Sequence, residues 1–305
     1  MNTARKFLDN NELVGFFLAF FAAIAFSSKA IFVKISYTYG VDTITLLTIR
    51  MAFSLPFFLV ILFMEEKKAK ETLRGRKLLT IIGLGLLGYY LSSLFDFLGL
   101  MYISAGLERL ILFLYPTMTV ILSVFILKEK LEKRMIFALL LGYIGITLAI
   151  QHELNVVGEN VLLGSLLVFA ATLTFSVYLV GSGGIIPKVG SKRFTVYAMI
   201  TSCLAVFIHF FATREISVLV QPSPVYIYGF VMAFFSTVIP SFFLAAAIQK
   251  IGASRTSIIG SIGPVSTIAL AAIFLAEPIS AIQIFGGACV IFGVLMLKKE
   301  KTKKQ

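Results

Sequence analysis

The chain has 305 residues, of which 59% are hydrophobic and 14% charged, and its formal net charge is +12. A soluble domain is about half apolar and about a quarter charged, so this composition excludes an ordinary soluble protein and indicates a membrane protein. The basic residues stand at the ends of apolar segments and in short connections, a pattern typical of membrane proteins that argues against nucleic-acid binding.

Apolar segments close to the ~20 residues that cross a bilayer core recur along the whole chain. This recurrence predicts an all-α, polytopic membrane protein with ten transmembrane helices. The first apolar segment is longer than the core of a signal peptide, so we interpret it as an uncleaved span. The predicted spans comprise residues 13–36, 43–64, 78–101, 106–127, 135–151, 161–182, 194–213, 225–247, 254–275 and 280–297.

The charge of the predicted loops indicates how the chain is oriented. With the N-terminus in the cytoplasm, most of the 27 Lys and Arg residues fall in cytoplasmic connections, with clusters at 65–77 and 128–134. The connection at 151–160, which would then be external, contains no Lys or Arg. Because Lys and Arg accumulate in cytoplasmic loops, we predict that both termini lie in the cytoplasm.

The two halves of the chain are related in sequence. Residues 103–148 and 251–296 align without a gap, so that Pro116 falls on Pro264. Each half would contain five spans, and because five is odd, the second half would cross the membrane in the opposite sense. Inverted repeats of this kind are typical of secondary transporters, which bind substrate between their halves. The predicted units are a first five-helix repeat at 13–151, a second at 161–297 and a basic cytoplasmic tail at 298–305.

Ionisable side chains within the predicted spans are candidates for function, because burying a charge in a membrane is costly. Each could contact substrate, or the group could form an internal network in which Asp96 pairs with Lys29 or Arg50. Glu108 would then pair with a neighbouring cation. Three cations against two anions favour a substrate that carries a carboxylate. All five lie in the first half and, on the predicted topology, toward its outer side: Lys29, Arg50, Asp96, Glu108 and Arg109.

Polar side chains at helical spacing extend this set. Tyr89, Ser93 and Asp96 share one face of the third predicted span, and Ser257 and Ser261 follow one stripe of the ninth. We expect these faces to line a single cavity. The candidate substrate-binding residues are Lys29, Arg50, Tyr89, Ser93, Asp96, Glu108, Arg109, Ser257 and Ser261.

Two prolines occupy equivalent places within their spans. Pro116 and Pro264 each remove a backbone hydrogen bond, to the carbonyls of Leu112 and Gly260, and are expected to bend their helices there. The two bends could be symmetry-related hinges, or fixed kinks that shape the packing.

The remaining chemistry-bearing residues indicate neither a metal site nor an enzyme. Cys203 and Cys289 stand singly in apolar segments and are predicted to be free thiols. The two histidines, His152 and His209, form no HExxH or comparable motif, and there is no GxxxxGK[ST] phosphate loop. We therefore expect no metal, no cofactor and no enzymatic activity.

Several short stretches indicate a family of membrane proteins when taken together with ten predicted spans. The chain resembles the EamA-like branch of the drug/metabolite transporter superfamily over nearly its whole length. The stretches that carry the resemblance are YISAG at 102–106, Tyr115-Pro116 and their counterparts IGAS at 251–254 and Gly263-Pro264.

The resemblance implies a ten-helix inverted repeat around a central cavity. It also implies export of amino acids or other small metabolites, with import of nucleotide-like compounds in some members. Arg50 is similar to the family's arginine at that place. Glu108 and Arg109 depart from the small apolar residues that the family usually has at the start of the fourth span.

The sequence thus predicts a secondary active transporter in the cytoplasmic membrane. We expect it to export a small polar metabolite, an amino acid or a related carboxylate, and Asp96 or Glu108 could carry a coupling proton. The alternatives are an importer or exchanger of a nucleotide-like metabolite and, less favoured, an intramembrane enzyme. The expected partners are the substrate, the lipid bilayer and a proton, with no nucleic acid, and nothing in the sequence indicates an oligomeric state.

Overall fold

The computed structural model describes residues 10–69, 71–127, 160–260, 263–276 and 281–296, together with residues 140, 144, 147 and 148. All regular structure in these ranges is helical, and no strand occurs among them. Six helical segments are long and apolar enough to cross a membrane: Asn11–Tyr37, Thr43–Lys68, Gly75–Gly99, Val161–Val189, Ser191–Thr213 and Ser223–Ile251. The prediction of an all-helical, multi-pass membrane protein is confirmed.

The helices of the described ranges follow in chain order. In the first half they are α1 (Asn10–Tyr37), α2 (Thr43–Lys68), α3 (Gly75–Gly85), α4 (Ser92–Gly99), α5 (Ala105–Leu112) and α6 (Tyr115–Leu127). In the second half they are α7 (Val161–Val189), α8 (Ser191–Thr213), α9 (Ser223–Ala233), α10 (Ile239–Ile251), α11 (Ala253–Ile259), α12 (Gly263–Leu275) and α13 (Ala281–Met296). A short 3₁₀ helix, Ile216–Leu219, lies between α8 and α9.

Two π-helical turns interrupt long helices at matching places. Leu86–Leu91 joins α3 to α4, and Phe234–Val238 joins α9 to α10. The sequence alignment of the two halves places the first residues of these turns on one another. π turns are rare and often occur at functional sites. Their repetition therefore makes this position a candidate functional position in both halves.

The fourth predicted span is interrupted where a bend at Pro116 was predicted, since α5 ends at Leu112 and α6 begins at Tyr115. In the ninth predicted span α11 ends at Ile259 and α12 begins at Gly263, and residues 261 and 262 lie outside those described. Pro116 and Pro264 are each the second residue of a helix. A proline is tolerated there because the first turn of a helix needs no backbone donor.

The sixth predicted span is wrong in length. α7 continues through Pro187 to Val189, so Lys188 lies in its last turn and not in a loop. Other predictions fall on residues outside those described. They are the fifth span at 135–151, of which only four isolated helical residues are described, and the tail at 298–305.

Helices of the first half pack mainly on helices of the second. α1 contacts α10 and α12, α2 contacts α8, and α4 contacts α7. Glycines allow two of the close approaches. A Cβ on Gly85 would lie 2.5 Å from the backbone oxygen of Ala198, and one on Gly88 would collide with the Tyr178 ring. This interleaving creates a long interface between the halves.

Candidate functional site

A cavity opens between the two halves of the chain. It has an empty volume of about 970 Å³, which includes a part open to solvent. Small-molecule sites typically occupy about 300–1,000 Å³, so the space suits a metabolite. Its wall includes residues from the first half, Ala19, Ala22, Ala23, Phe26, Lys29, Arg50, Met51, Gly88, Tyr89, Ser92, Ser93, Arg109, Leu112, Phe113 and Tyr115, and from the second, Phe175, Leu179, Ser236, Thr237, Leu244, Thr256, Ser257 and Gly260.

The charged side chains on the described part of this wall are all cations. Lys29, Arg50 and Arg109 line the cavity, whereas no Asp or Glu is found among the described lining residues. Asp96 and Glu108 are buried, at 1% and 0% exposure. The wall therefore presents positive charge to whatever enters, while the acidic groups lie behind it.

Arg50 has the most unusual environment of the three cations. Its side chain is buried, with the residue only 2% exposed, and its Nε and Nη2 atoms have no hydrogen-bond partner in the described part of the chain. The guanidinium lies 4.7 Å from the centre of the Phe97 ring, a favourable cation–π distance. A buried guanidinium with unused donors is costly unless an acceptor arrives, so this group is prepared to receive an anion.

Lys29, Asp96 and Glu108 form a buried charged cluster. Lys29 Nζ lies 2.5 Å from Asp96 Oδ2, so these residues form one of the two alternative ion pairs predicted for Asp96. Glu108 lies close to Asp96, but both of its carboxyl oxygens lack a hydrogen-bond donor within the residues described. The expectation that Glu108 pairs with a cation is therefore not met in this structure. Lys29 is the ion-pair partner of Asp96, while Arg50 and Arg109 also act on the two carboxyl groups through longer-range charge interactions.

Arg109 connects the two halves through Ser27. Arg109 Nη2 donates to Ser27 Oγ at 2.8 Å, and Ser27 Oγ in turn lies 3.1 Å from the carbonyl oxygen of Gly263. Thr267 Oγ1 also donates to the Ser27 carbonyl, at 3.3 Å. Gly263 lies against the same guanidinium, since a Cβ there would lie 2.5 Å from Arg109 Nη2 and would displace it. The guanidinium thus bridges α1 and the first residue of α12.

The first residue of α6 contacts α11. The Tyr115 hydroxyl donates to the carbonyl of Ser257 at 3.1 Å, and a Cβ on Gly260 would collide with that hydroxyl. Ser176 Oγ donates to the Tyr115 carbonyl at 3.2 Å, which adds α7 to the junction. Helix ends that lie beside a cavity expose backbone groups and partial charges to it, as the interrupted helices of transporters do.

The structure brings together most of the predicted site residues. Six of them line the cavity, while Asp96 and Glu108 lie in the cluster behind it and Ser261 falls outside the described residues. The six are Lys29, Arg50, Tyr89, Ser93, Arg109 and Ser257.

Sequence reasoning missed several participants. Ser236 and Thr237 belong to the second π turn, and Ser236 Oγ lies 2.8 Å from Ser28 Oγ across the interface between the halves. In the sequence, these two residues were distinguished only by their alignment with Gly88 and Tyr89 of the first repeat. The aromatic wall formed by Phe113, Tyr115 and Phe175 was missed because such residues are common throughout the chain.

No group of three or more His, Cys, Asp or Glu residues that could hold a metal ion occurs among the described residues. Cys203 and Cys289 are both buried free thiols.

Comparison with known proteins identifies the family. The EamA-like transporter family matches residues 13–151 and 162–298 of the chain. The uncharacterized transporter YcbK of Bacillus subtilis is 28% identical over 289 residues, covering 92% of this chain and 91% of that protein. The uncharacterized transporter YyaM of the same organism is 27% identical over 267 residues, covering 84% and 86%.

A crystal structure of another protein shares the fold, with a TM-score of 0.65 and 15% identity across 94% of this chain and 95% of that one. Two family matches therefore cover most of the sequence, and the relatives extend over nearly the same length. The resemblance drawn from the sequence is confirmed: the chain belongs to the EamA-like transporter family and is a multi-pass membrane transporter.

Proposed function

We propose that this transporter is a secondary exporter of a small carboxylate-bearing metabolite, such as an amino acid, in the cytoplasmic membrane. One observation carries the proposal: the buried Arg50 guanidinium lies on the cavity wall with Nε and Nη2 unpaired in the described part of the chain. Guanidinium groups bind carboxylates through two parallel hydrogen bonds, which gives both affinity and orientation.

The remainder of the wall supports a substrate with an apolar part. Phe26, Phe113 and Phe175 contribute aromatic surface, while Ser93 and Ser257 contribute polar groups. Lys29 and Arg109 add positive charge, which raises the local concentration of anions. A small carboxylate with a hydrophobic side group matches this combination better than a purely cationic compound.

We further propose a ten-helix, five-plus-five inverted repeat with both termini in the cytoplasm. The positive-inside distribution of Lys and Arg supports the orientation. The matched π turns support the repeat, as do Pro116 and Pro264, each of which is the second residue of a helix. In this arrangement substrate sits between the halves, and their relative movement exposes the site to each side of the membrane in turn.

Asp96 and Glu108 are the proposed carriers of a coupling proton. A proton placed between the two carboxyl groups would allow them to hydrogen-bond to each other, and it would reduce the negative charge that holds Lys29. Lys29 lines the cavity, so a change in its pairing reaches the substrate site directly. Proton entry and substrate release would be linked through this one side chain.

A ligand screen tests the substrate class. Purified protein is heated in the presence of amino acids, organic acids or nucleotides, since a ligand that binds only the folded state raises the unfolding temperature. We expect a carboxylate with an apolar side group to stabilise the protein. Stabilisation by nucleotides alone would favour the alternative of a nucleotide-like substrate, and stabilisation by amines alone would refute the role of Arg50.

Transport in proteoliposomes tests the coupling. With an imposed pH gradient, we expect Asp96→Asn or Glu108→Gln to abolish the dependence of uptake on the gradient while counterflow exchange continues. Glu12→Gln is the matched control, because Glu12 pairs with Arg255 and neither residue lines the cavity. If both cavity variants keep full gradient dependence, neither residue carries the proton.

A further inference from the structure

A second cleft lies at one end of the bundle, away from the substrate cavity. It has an empty volume of about 680 Å³, including its open part. Its walls come from the connection between α2 and α3 in the first half and from the junction of α7 and α8 in the second. The lining residues are Glu71, Thr72, Leu73, Arg74, Arg76, Lys77, Lys188, Val189 and Arg193.

Positive charge dominates this cleft. Arg193 is already engaged, because it makes two contacts to Glu66, with Nε at 2.6 Å from Oε1 and Nη2 at 2.9 Å from Oε2. The four other cations form no ion pair within the described ranges: Arg74, Arg76, Lys77 and Lys188. One carboxylate, that of Glu71, stands among the lining residues described. The cleft therefore retains about three uncompensated positive charges.

The cleft gathers exposed cations from both halves of the chain. Arg76 and Lys77 extend from the first turn of α3, and Lys188 approaches from the last turn of α7. Both halves thus direct cations into one concave space. Phosphate groups are the common biological anions that match several Lys and Arg side chains converging on one point.

We propose that this cleft binds a phosphate-bearing anion, which bridges the two halves of the transporter at this end. On the proposed orientation the cleft faces the cytoplasm, where both anionic lipid headgroups and soluble phosphates are present. An anion held by Lys77 and Lys188 together opposes separation of the halves. Occupancy favours the state in which this end is closed, and so regulates the transport cycle without contact with the substrate cavity.

The test uses the full-length protein purified in detergent and stripped of lipid. Thermal unfolding is followed while the protein is titrated with phosphatidylglycerol, with phosphatidylcholine as the uncharged comparison, and separately with inorganic phosphate against sodium chloride of equal ionic strength. The double variant Lys77→Gln/Lys188→Gln removes one cation from each side of the cleft. Lys68→Gln/Lys192→Gln is the matched control, because it removes the same charge from exposed positions outside the cleft.

We expect phosphatidylglycerol or inorganic phosphate to stabilise the wild-type protein and the control. Each cation lost from the cleft should weaken apparent affinity about fivefold, so the cleft variant should bind about 25-fold more weakly. A response to the lipid alone identifies a headgroup site, and a response to phosphate alone identifies a soluble ligand. Absence of stabilisation by both probes, or an equal loss of affinity in the two double variants, would overturn the proposal.

Discussion

Removal of Lys29 should destabilise the protein more than removal of its partner Asp96. The two side chains are 14% and 1% exposed and their charged atoms lie 2.5 Å apart. Lys29→Gln leaves Asp96 and Glu108 as neighbouring buried carboxyl groups without the cation between them. Asp96→Asn leaves Lys29 with Glu108 still close by. Lys29 and Asp96 are therefore expected to contribute unequally to stability, although they form one ion pair.

The expected loss of folding free energy in each variant depends on how deeply these groups are buried. Breaking a buried ion pair by removing one partner typically costs about 3–5 kcal/mol, and we assign this range to Lys29→Gln. Asp96→Asn should cost about 1–3 kcal/mol, the range for a buried group that loses one partner but keeps another. At roughly 2 °C per kcal/mol for a long chain, Lys29→Gln should lower the melting temperature by about 6–10 °C.

The composition of the chain determines the assay. Intrinsic tryptophan fluorescence cannot report unfolding, because the sequence contains no Trp, but its two cysteines are both buried. A thiol-reactive dye therefore reports unfolding directly. The double variant Lys29→Gln/Asp96→Asn should cost less than the sum of the single variants by about 1–2 kcal/mol, as expected for groups in contact.

A control pair sets the scale for this measurement. Glu66→Gln breaks the more exposed pair with Arg193, in which the Arg193 and Glu66 side chains are 15% and 30% exposed, and should cost about 1 kcal/mol or less. If Asp96→Asn is as damaging as Lys29→Gln, or if the double variant is fully additive, the carboxyl cluster does not depend on Lys29 as described.

Two other predictions concern packing and a helix cap. Gly85→Ala should destabilise the protein by about 1–3 kcal/mol, because its Cβ would meet the Ala198 backbone. Gly83→Ala is the control, since a Cβ there has open space and should be neutral or stabilising by up to about 1 kcal/mol. Equal melting temperatures for the two variants would contradict the close packing at Gly85. Burial alone would raise the pKa of Asp42 at the start of α2, but hydrogen bonds from Thr45 and the charge of Arg214 hold this pKa below its ordinary value. The stability contributed by ionised Asp42 is therefore complete above the unfolded pKa of about 3.9 and is lost as the pH falls through the folded value. Circular dichroism melts should show wild type above Asp42→Asn by under about 1 kcal/mol from pH 5 to 8, with the gap closing as the pH falls through the folded pKa. A gap independent of pH would exclude this role.

Hydropathy and loop charge were enough to predict the membrane class and most helix positions, because a bilayer constrains segment length and composition strongly. The alignment of Pro116 with Pro264 likewise indicated two related halves. A bend at Pro116 was predicted, but the interruption of the helix between Leu112 and Tyr115 was not, since the apolar pattern of the fourth span continues through it. Whether proline bends a helix or begins a new one depends on contacts such as that from Tyr115 to Ser257.

Charge and helical face both led to residues on the cavity wall, since Tyr89, Ser93 and Ser257 were chosen by helical face. Lys29, Arg50 and Arg109 stood out because charges are rare in these spans, and all three line the cavity. The placement of Asp96 on one face with Tyr89 assumed a regular helix. The π turn at Leu86–Leu91 adds a residue to the helical path, which rotates the side chains of α4 by about 100° relative to that assumption. Neutral participants such as Ser27 carry no comparable signal.

Binding of a matched pair of ligands tests the assignment of Arg50 most directly. The pair is an amino acid that stabilises the protein and its carboxamide, which has nearly the same shape but lacks the negative charge. We expect wild-type protein to prefer the carboxylate by about 10- to 100-fold, the range for a hydrogen bond to a charged group. Arg50→Lys keeps the positive charge but loses the planar guanidinium that can donate two parallel hydrogen bonds to a carboxylate, so it should reduce this preference. Equal affinity for the two ligands, or an unchanged preference in Arg50→Lys, would contradict a carboxylate site at Arg50.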